Sequence, residues 1–222
     1  MRRSYETRNI FVAYIKKKIK QNKNLLVCCV GGTGSGKSYA VLSLANQIDR
    51  NFSIDRVLFT YTDLINISEY KSYPPGTVFI FDEASAESFQ ARDFMSKKNK
   101  NLSALLQTFR NRNYIIFFTS PNLKFMDKQA RTLIHMTLET DKIFYDVDMC
   151  RLKIKYVVVN PLTGSVYFMY PVWKIEDQPI RVTRITVPKP PQDLIDEYEI
   201  KKREYQKKLY TKLRRDYKDD IE

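Results

Sequence analysis

The sequence predicts an α/β fold in which a mostly parallel sheet is flanked by helices and followed by an antiparallel β extension and a C-terminal helix. Two observations carry this prediction. Up to about residue 135, short apolar runs alternate with stretches of helical periodicity, as in parallel sheets that are buried on both faces. Beyond residue 135, strand-like runs follow one another without such helical stretches, which is typical of antiparallel pairing.

The first part of the chain supplies the parallel strands and their helices. Its opening helix is amphipathic, with lysines around Phe11, Tyr14, Ile15 and Ile19, and its apolar face is expected to dock on the core. In chain order, the predicted elements are a helix over 9–20, a strand over 25–30, a helix over 38–48, a strand over 56–60, a helix over 62–71, strands over 77–83 and 113–120, and a helix after Pro121.

The second part of the chain holds the antiparallel extension and a charged tail. Four strand-like runs lie between residues 136 and 173, and 160–164 (NPLTG) is a hairpin turn between the last two. A stiff proline linker at 187–192 leads into a charged helix with a thin apolar stripe. That helix can be a solvated tail, a docking helix or a contact to a second subunit. We therefore divide the chain into a basic N-terminal helix (1–23), a core with its β extension from about 136 (24–186), and the linker with its helix (187–222).

Residues 31–38, GGTGSGKS, match the phosphate-loop pattern G-x-x-x-x-G-K-[ST] and lie between a predicted strand and a predicted helix. The glycines let backbone N–H groups wrap phosphates, and the helix N-terminus adds positive potential. Lys37 would reach the β and γ phosphates, and Ser38 would ligate Mg²⁺. We therefore expect a P-loop NTPase fold that binds ATP and Mg²⁺. The predicted nucleotide-binding residues are Gly31, Gly32, Thr33, Gly34, Ser35, Gly36, Lys37, Ser38 and Tyr39.

Two carboxylates follow the apolar run VFIF at residues 78–81. Asp82 would hold the metal side of the site, and Glu83 would polarise the water that attacks the γ-phosphate. The alternative is a pair of solvated acids that open a helix at its favourable end. A small-molecule kinase must shield the γ-phosphate from water, so an Asp-Glu pair favours hydrolysis over phosphate transfer.

The order of three motifs, GGTGSGKS, FIFDEAS and FRNRNYIIFFTSP, resembles the FtsK/HerA superfamily of P-loop ATPases over roughly residues 24–135. That superfamily includes DNA translocases, conjugation and Zot-like proteins, and genome-packaging ATPases of many viruses. The resemblance implies a RecA/ASCE-like core. It also implies a homo-oligomeric ring, expected to be hexameric, that binds nucleotide between subunits and threads double-stranded DNA through its pore.

The third motif carries the residues that the resemblance makes candidates for the γ-phosphate. The corresponding strand in the superfamily commonly ends in Thr-Gln; here Thr119 matches, and Ser120 stands where the sensor Gln is expected. Arg110 and Arg112 lie near the place of the arginine that acts on the neighbouring subunit's nucleotide. The alternative for the arginines is a basic helix end that suits the helix dipole.

Charge is concentrated in two segments of a chain with net charge +13. Residues 1–24 carry eight basic and one acidic side chain, which gives +7, and residues 92–112 carry six and one, which gives +5. Such clusters suit a polyanion or an anionic membrane surface. The second segment includes Lys97, Lys98 and Lys100, which the resemblance would place on DNA phosphates.

The remaining titratable candidates favour structural roles and a cytoplasmic protein. Cys28, Cys29 and Cys150 have neither metal-ligand nor disulfide-framework spacing, and His135 has no partner cluster. The N-terminus lacks a signal peptide, and no apolar run approaches the ~18 residues of a membrane span. We expect the host cytoplasm if the protein is viral, with a possible position at a membrane or capsid vertex.

Together these features favour an ATP-hydrolysing motor that moves viral or plasmid double-stranded DNA, with a capsid or membrane-anchored partner as a further possibility. An alternative is a membrane-associated, Zot-like assembly or secretion ATPase whose segment 9–20 lies on anionic lipid. A third is a P-loop nucleotide kinase, which would form ADP only in the presence of a specific acceptor.

Overall fold

A computed structural model describes residues 10–70, 73–82, 109, 111–126, 128–175 and 178–219. The helices in these ranges are α1 Ile10–Lys20, α2 Lys37–Ile48, α3 Tyr61–Tyr70, α4 Lys128–Leu133 and α5 Gln192–Asp219. The strands are β1 Leu25–Val30, β2 Val57–Leu58, β3 Val78–Phe81, β4 Ile115–Ser120, β5 Met136–Phe144, β6 Met149–Val159, β7 Val166–Met169, β8 Val172–Ile175, β9 Gln178–Arg181 and β10 Arg184–Pro188.

The main sheet has the order β10-β6-β5-β1-β4-β3-β2, with β7 paired to β6. The five strands β5, β1, β4, β3 and β2 run parallel to one another. In β1 and β4, Val30 lies opposite Ser120, and β3 is in turn parallel to β4. The ends of β1, β3 and β4 therefore meet at one edge of the sheet. This topology confirms the predicted mostly parallel α/β sheet flanked by helices.

The predicted antiparallel extension is confirmed as well. β6 pairs in antiparallel fashion with β5, β7 and β10, and β8 pairs with β9 in a separate two-stranded sheet. The β6–β7 connection is the predicted hairpin turn, in which the Asn160 N–H donates to the carbonyl of Ser165 and Gly164 has a φ of 67°.

Three predicted elements differ in extent from the observed ones. The two strand-like runs predicted within 136–149 form one strand, β5, which has a register shift between Thr140 and Lys142 and ends at Phe144, before a turn over 145–148 and the start of β6. The helix expected after Pro121 is preceded by a 3-10 turn, Leu123–Phe125, because the Asn122 side chain accepts the N–H of Lys124. The strand predicted over 56–60 is observed only as the two-residue strand β2, Val57–Leu58.

The cause of the short β2 is a capping box at the start of α3. The Asp63 carboxylate accepts the N–H of Thr60, and the Thr60 hydroxyl accepts the N–H of Asp63. Asp63 also accepts the N–H of Phe59. These backbone groups cap a helix and are diverted from the sheet.

Two apolar cores cover the two faces of the sheet, because successive side chains of a strand point to opposite faces. In β1, Val27 and Cys29 belong to one core and Leu26 and Cys28 to the other. The first core also contains side chains from α1, α2 and the start of α5, and the second contains side chains from α3 and α4.

Helix α1 docks on the first core, as its amphipathic pattern predicts. Phe11 and Ile15 are completely buried, and the Phe11 ring stacks on Trp173 at 6.4 Å between centroids. Within the described ranges, no helix combines the length and the apolar character needed to cross a membrane.

The first half of α5 also docks on the core. Of the three roles considered for this helix, this part therefore has that of a docking helix. Ile195 and Tyr198 are buried, and Tyr205 stacks on Phe59 with centroids 4.8 Å apart. The Lys201 ammonium donates to the carbonyls of Ile54 and Val57, at 2.9 and 2.8 Å.

Candidate functional site

The GGTGSGKS segment connects β1 to α2, at the sheet edge where β3 and β4 also end. Gly36 caps α2 with a left-handed φ of 85°, a conformation that L side chains rarely adopt, and its carbonyl accepts the N–H of Ala40. The first turn of α2 contains no acidic residue. The positive end of the helix dipole beside the loop therefore meets no carboxylate of its own helix and suits an anionic ligand.

Gly31 is the position at which the loop comes closest to its surroundings. A Cβ atom built there would lie 1.9 Å from the Thr140 hydroxyl oxygen and 2.8 Å from the Ser35 hydroxyl oxygen. Those two hydroxyls are hydrogen-bonded to each other at 2.8 Å. The loop is thus fixed against β5 through Thr140, a contact that the sequence pattern does not reveal.

Exchanging Gly31 for alanine is expected to destabilise the fold by about 1–3 kcal/mol, because the added methyl group forces apart the Thr140–Ser35 pair. Gly32→Ala is the matched control, since no heavy atom lies within 4 Å of a Cβ built at Gly32. Thermal unfolding of both variants checks this expectation. Equal melting temperatures for the two would contradict it.

Asp82 follows β3, is completely buried and accepts hydrogen bonds from three side chains, two of which lie on α2 and β4. Ser38 Oγ donates to one carboxylate oxygen at 3.0 Å, and Thr119 Oγ1, near the end of β4, donates to the same oxygen at 2.5 Å. The two predicted metal-side residues, Ser38 and Asp82, are therefore in direct contact.

This oxygen pair fits Mg²⁺, which prefers hydroxyl and carboxylate oxygens and keeps several non-protein ligands. Among the described residues, no group of three or more His, Cys, Asp or Glu side chains could hold a metal by itself. Ser38 and Asp82 would therefore hold Mg²⁺ together with phosphate oxygens and water.

Lys37 and Ser120, two predicted catalytic residues, also belong to this region. The Lys37 ammonium donates to the Gly32 carbonyl across the loop at 2.7 Å. The buried Ser120 hydroxyl donates to the carbonyl of Asn122 at 2.8 Å. Ser120 thus lies beside the loop, but its short side chain is engaged in the turn that follows β4.

Arg112, by contrast, lies at the opposite edge of the sheet. It precedes β4, whose first residue, Ile115, pairs with Leu25 at the start of β1. The six residues of β4 therefore separate it from the phosphate loop, a distance of about 20 Å. Its guanidinium lies 3.5 Å from the Ile67 carbonyl. Glu83, Arg110, Lys97, Lys98 and Lys100 lie outside the described residues.

A cavity of about 580 Å³ opens over the loop, a size suited to a nucleotide-like ligand. Its walls come from the loop, the end of β4, the β5–β6 hairpin, the linker at 188–190 and α5. Tyr39, which lines the cavity, donates its hydroxyl hydrogen bond to Glu199 at 3.0 Å. Burial and the Glu199 carboxylate raise the pKa of Tyr39, which keeps this hydroxyl protonated as a donor.

Helix α5 contributes the residues at this site that the sequence patterns do not predict. The Tyr198 hydroxyl donates to the second oxygen of Asp82 at 2.5 Å. The Lys202 ammonium lies 3.9 Å from the same Asp82 oxygen and 3.2 Å from the Tyr198 hydroxyl. The only sequence signals are the apolar stripe that includes Tyr198 and the four-residue spacing that places Lys202 on the same helix face.

The three cysteines differ in their relation to the cavity. Burial raises the pKa of the Cys28 thiol to about 12 and that of Cys29 well above its usual value. Cys150 lines the cavity, and its sulfur lies 3.7 Å from a Cβ built at Gly36. Partial burial also raises the Cys150 pKa. Cys28 and Cys29 are completely buried, which favours the structural role expected from the sequence.

Alkylation of the native protein is expected to modify Cys150 first and to be slowed by Mg·ATP, because the nucleotide and the reagent compete for one cavity. A raised pKa leaves less thiolate at neutral pH, so the rate should still be rising above pH 9. Mass spectrometry of the labelled peptides measures both effects. Cys150→Ser is the control, and labelling of Cys28 before Cys150 would contradict the assignment.

No protein-family model and no curated protein sequence matches the chain. Among solved structures, the N-terminal domain of zonular occludens toxin from Neisseria meningitidis is 17% identical, with a TM-score of 0.39, over 71% of this chain and 100% of that one. A DNA polymerase III gamma subunit-related protein from Thermotoga maritima is 11% identical, with a TM-score of 0.47, over 62% of this chain and 48% of that one. The genome packaging NTPase B204 from Sulfolobus turreted icosahedral virus 2, solved with ATP-gammaS, is 10% identical, with a TM-score of 0.30, over 68% and 99%. The chain's own phosphate-loop motif lies between β1 and α2 at the edge of a mostly parallel sheet, the setting that this motif requires.

Proposed function

We propose that this protein is an ATP-hydrolysing motor that moves double-stranded DNA as a ring of identical subunits. The observation that carries the ATPase part is the contact of Ser38 with the buried Asp82 at 3.0 Å beside the phosphate loop. It joins a hydroxyl and a carboxylate at the place where a metal-bound triphosphate has to lie.

In this proposal, the loop N–H groups and Lys37 bind and orient the phosphates of ATP. Mg²⁺, when bound, neutralises charge on the phosphate oxygens. Thr119 and Tyr198 hold the Asp82 carboxylate from two sides. Glu83 accepts a proton from water as the water oxygen bonds to the γ-phosphorus and the bond to the β–γ bridging oxygen breaks.

Two features of the sequence, its charge and the order of its motifs, support DNA as the substrate. The net charge of +13, the basic segments 1–24 and 92–112, and the FtsK/HerA-like motif order favour a nucleic-acid substrate. A channel that contacts phosphates through lysines would bind DNA without reading its sequence.

In the proposed ring, an arginine before β4 acts on the nucleotide of a neighbouring subunit, and Arg112 is one candidate. At about 20 Å from its own phosphate loop, it cannot contact the nucleotide of its own subunit. An arginine that stabilises the γ-phosphate must then act on a neighbour. Arg110 is the other candidate.

Subunit mixing tests this arrangement. A ring that combines Glu83→Gln subunits with Arg112→Ala or Arg110→Ala subunits should recover part of the ATPase activity that each variant lacks alone. Recovery requires an active site shared between chains. If neither mixture exceeds the sum of the separate variants, neither arginine acts in trans.

The membrane alternative loses the feature that motivated it. Phe11 and Ile15, which would have to enter lipid, are completely buried against the core. The basic face of α1 can still contact an anionic surface, whether DNA or lipid.

An ATPase assay with duplex DNA, with liposomes of anionic lipid or with neither, combined with a native mass measurement, tests the function. The proposal expects stimulation by duplex DNA and a mass that is a multiple of the subunit's. Stimulation by liposomes alone would favour the assembly ATPase, and turnover that needs a small-molecule acceptor would favour the kinase.

A further inference from the structure

The C-terminal helix α5 places a second cation beside the phosphate-binding site. The ammonium of Lys202 lies 3.9 Å from an Asp82 oxygen and lines the same cavity as the phosphate loop. Lys202 is one helical turn after Tyr198, whose hydroxyl contacts both Asp82 and the Lys202 ammonium. The fold therefore brings together Asp82 and Lys202, which are far apart in the sequence.

The position of Lys202 is fixed by the docking of α5. The buried Tyr198 packs edge-on against Tyr39, with ring centroids 6.2 Å apart, and Tyr205 stacks on Phe59. Lys201 is bound to backbone carbonyls of 54–57. Because residues before and after Lys202 fix α5 on the core, the backbone at Lys202 loses little conformational entropy when the lysine binds a ligand. This is the requirement for a preorganised contact.

We propose that Lys202 is a phosphate-binding residue that acts in cis and contacts the terminal phosphate of bound ATP. The inference rests on the proposed function only in requiring that the site binds a nucleoside triphosphate. It holds whether or not the energy of hydrolysis moves DNA.

Charge and reach at the site support a contact to the terminal phosphate. Ser38 and Asp82 would hold Mg²⁺ beside the phosphate loop, where it would neutralise charge on the terminal phosphates of ATP. The Lys202 ammonium lies 3.9 Å from the Asp82 carboxylate, so a change of the lysine rotamer brings it to a phosphate bound beside Asp82. Apart from Lys37, which lies on the loop itself, the other charged cavity residues have partners: Lys189 lies 4.0 Å from Asp148, and Glu199 accepts the Tyr39 hydroxyl.

The end of β4 leaves room for such a contact. Ser120 has a short side chain, and its hydroxyl is engaged by the Asn122 carbonyl. It therefore offers no long polar group to the γ-phosphate. Lys202, whose side chain has four methylene groups, lines the same cavity from α5 and supplies such a long polar group.

Binding of Mg·ADP and of the Mg²⁺ complex of the non-hydrolysable ATP analogue AMP-PNP tests the proposal by calorimetry. Lys202→Gln should weaken AMP-PNP binding by about tenfold and ADP binding by less than about twofold, because ADP lacks the phosphate in question. Lys202→Arg should restore most of the difference. The exposed Lys207 of the same helix provides the control, Lys207→Gln, which should match wild type.

The ratio of the two affinities separates phosphate contact from a structural role. A lysine that only pairs with Asp82 and holds α5 in place would affect AMP-PNP and ADP equally when replaced, and that result would overturn the proposal. ADP binding by Lys202→Gln also reports that the variant is folded. If wild-type protein binds neither nucleotide, the proposed function itself fails, which is a different outcome.

Discussion

Lys37→Ala is expected to weaken Mg·ATP binding at least about 100-fold and to remove hydrolysis. The lysine follows the left-handed Gly36 at the first position of α2, and its ammonium already lies on the loop, 2.7 Å from the Gly32 carbonyl. Two charge-assisted contacts to phosphate oxygens, each worth about 1.5–3 kcal/mol, are lost with it. Equilibrium binding of a fluorescent ATP analogue measures the change.

The control for this variant is Lys16→Ala, which removes an exposed lysine of α1 that does not line the cavity. It should bind nucleotide as wild type does. Wild-type affinity in Lys37→Ala would show that the loop does not hold the phosphates.

Asp82→Asn and Glu83→Gln form a pair of isosteric exchanges with different expected results. Asp82 accepts hydrogen bonds from Ser38, Thr119 and Tyr198, and an amide has one acceptor oxygen where the carboxylate has two. Asp82→Asn should therefore lose the Mg²⁺ dependence of ATP binding, lose turnover and melt at a lower temperature, because a buried donor is left unsatisfied.

Glu83→Gln should retain Mg·ATP binding while its turnover falls at least about 100-fold, the usual size of a general-base contribution. Parallel measurements of binding, single-turnover hydrolysis and thermal unfolding on both variants check the pair. Wild-type turnover in Glu83→Gln would remove the proposed base. Unchanged Mg²⁺ dependence in Asp82→Asn would remove the proposed metal site.

The parallel sheet and the phosphate loop could be predicted because they depend on local signals. The run LLVCCV is buried on both faces and must be a central strand, and GGTGSGKS combines turn glycines with a helix start. The contact of Ser38 with Asp82 follows from parallel strands that end at one edge. The strand and the loop require only neighbours in sequence, whereas the Ser38–Asp82 contact, which spans 44 residues, also requires the parallel arrangement of the strands.

The contribution of α5 could not be predicted in the same way. Its apolar stripe indicates that something packs on it, but the pattern does not say which surface that is. The pairing of Tyr198 with Asp82 spans 116 residues and depends on the path of the β extension between them. Thr140 at Gly31 is a similar case, since the contact arises from the register between β1 and β5.

The boundaries of short elements also differ between the sequence prediction and the structure. Phe59 and Thr60 have good strand propensity, yet their N–H groups bind the Asp63 carboxylate, so capping of α3 overrides the strand. A local hydrogen bond that satisfies the backbone outside the sheet competes directly with pairing.

The central claim, that ATP hydrolysis moves the protein along double-stranded DNA, is tested most directly by displacement of a labelled third strand from a DNA triplex. With wild-type protein, Mg²⁺ and ATP, the third strand should be released at a rate that increases with ATP concentration, and Glu83→Gln should release none. ATP hydrolysis at full rate without release of the third strand, at every ratio of protein to DNA, would contradict the claim.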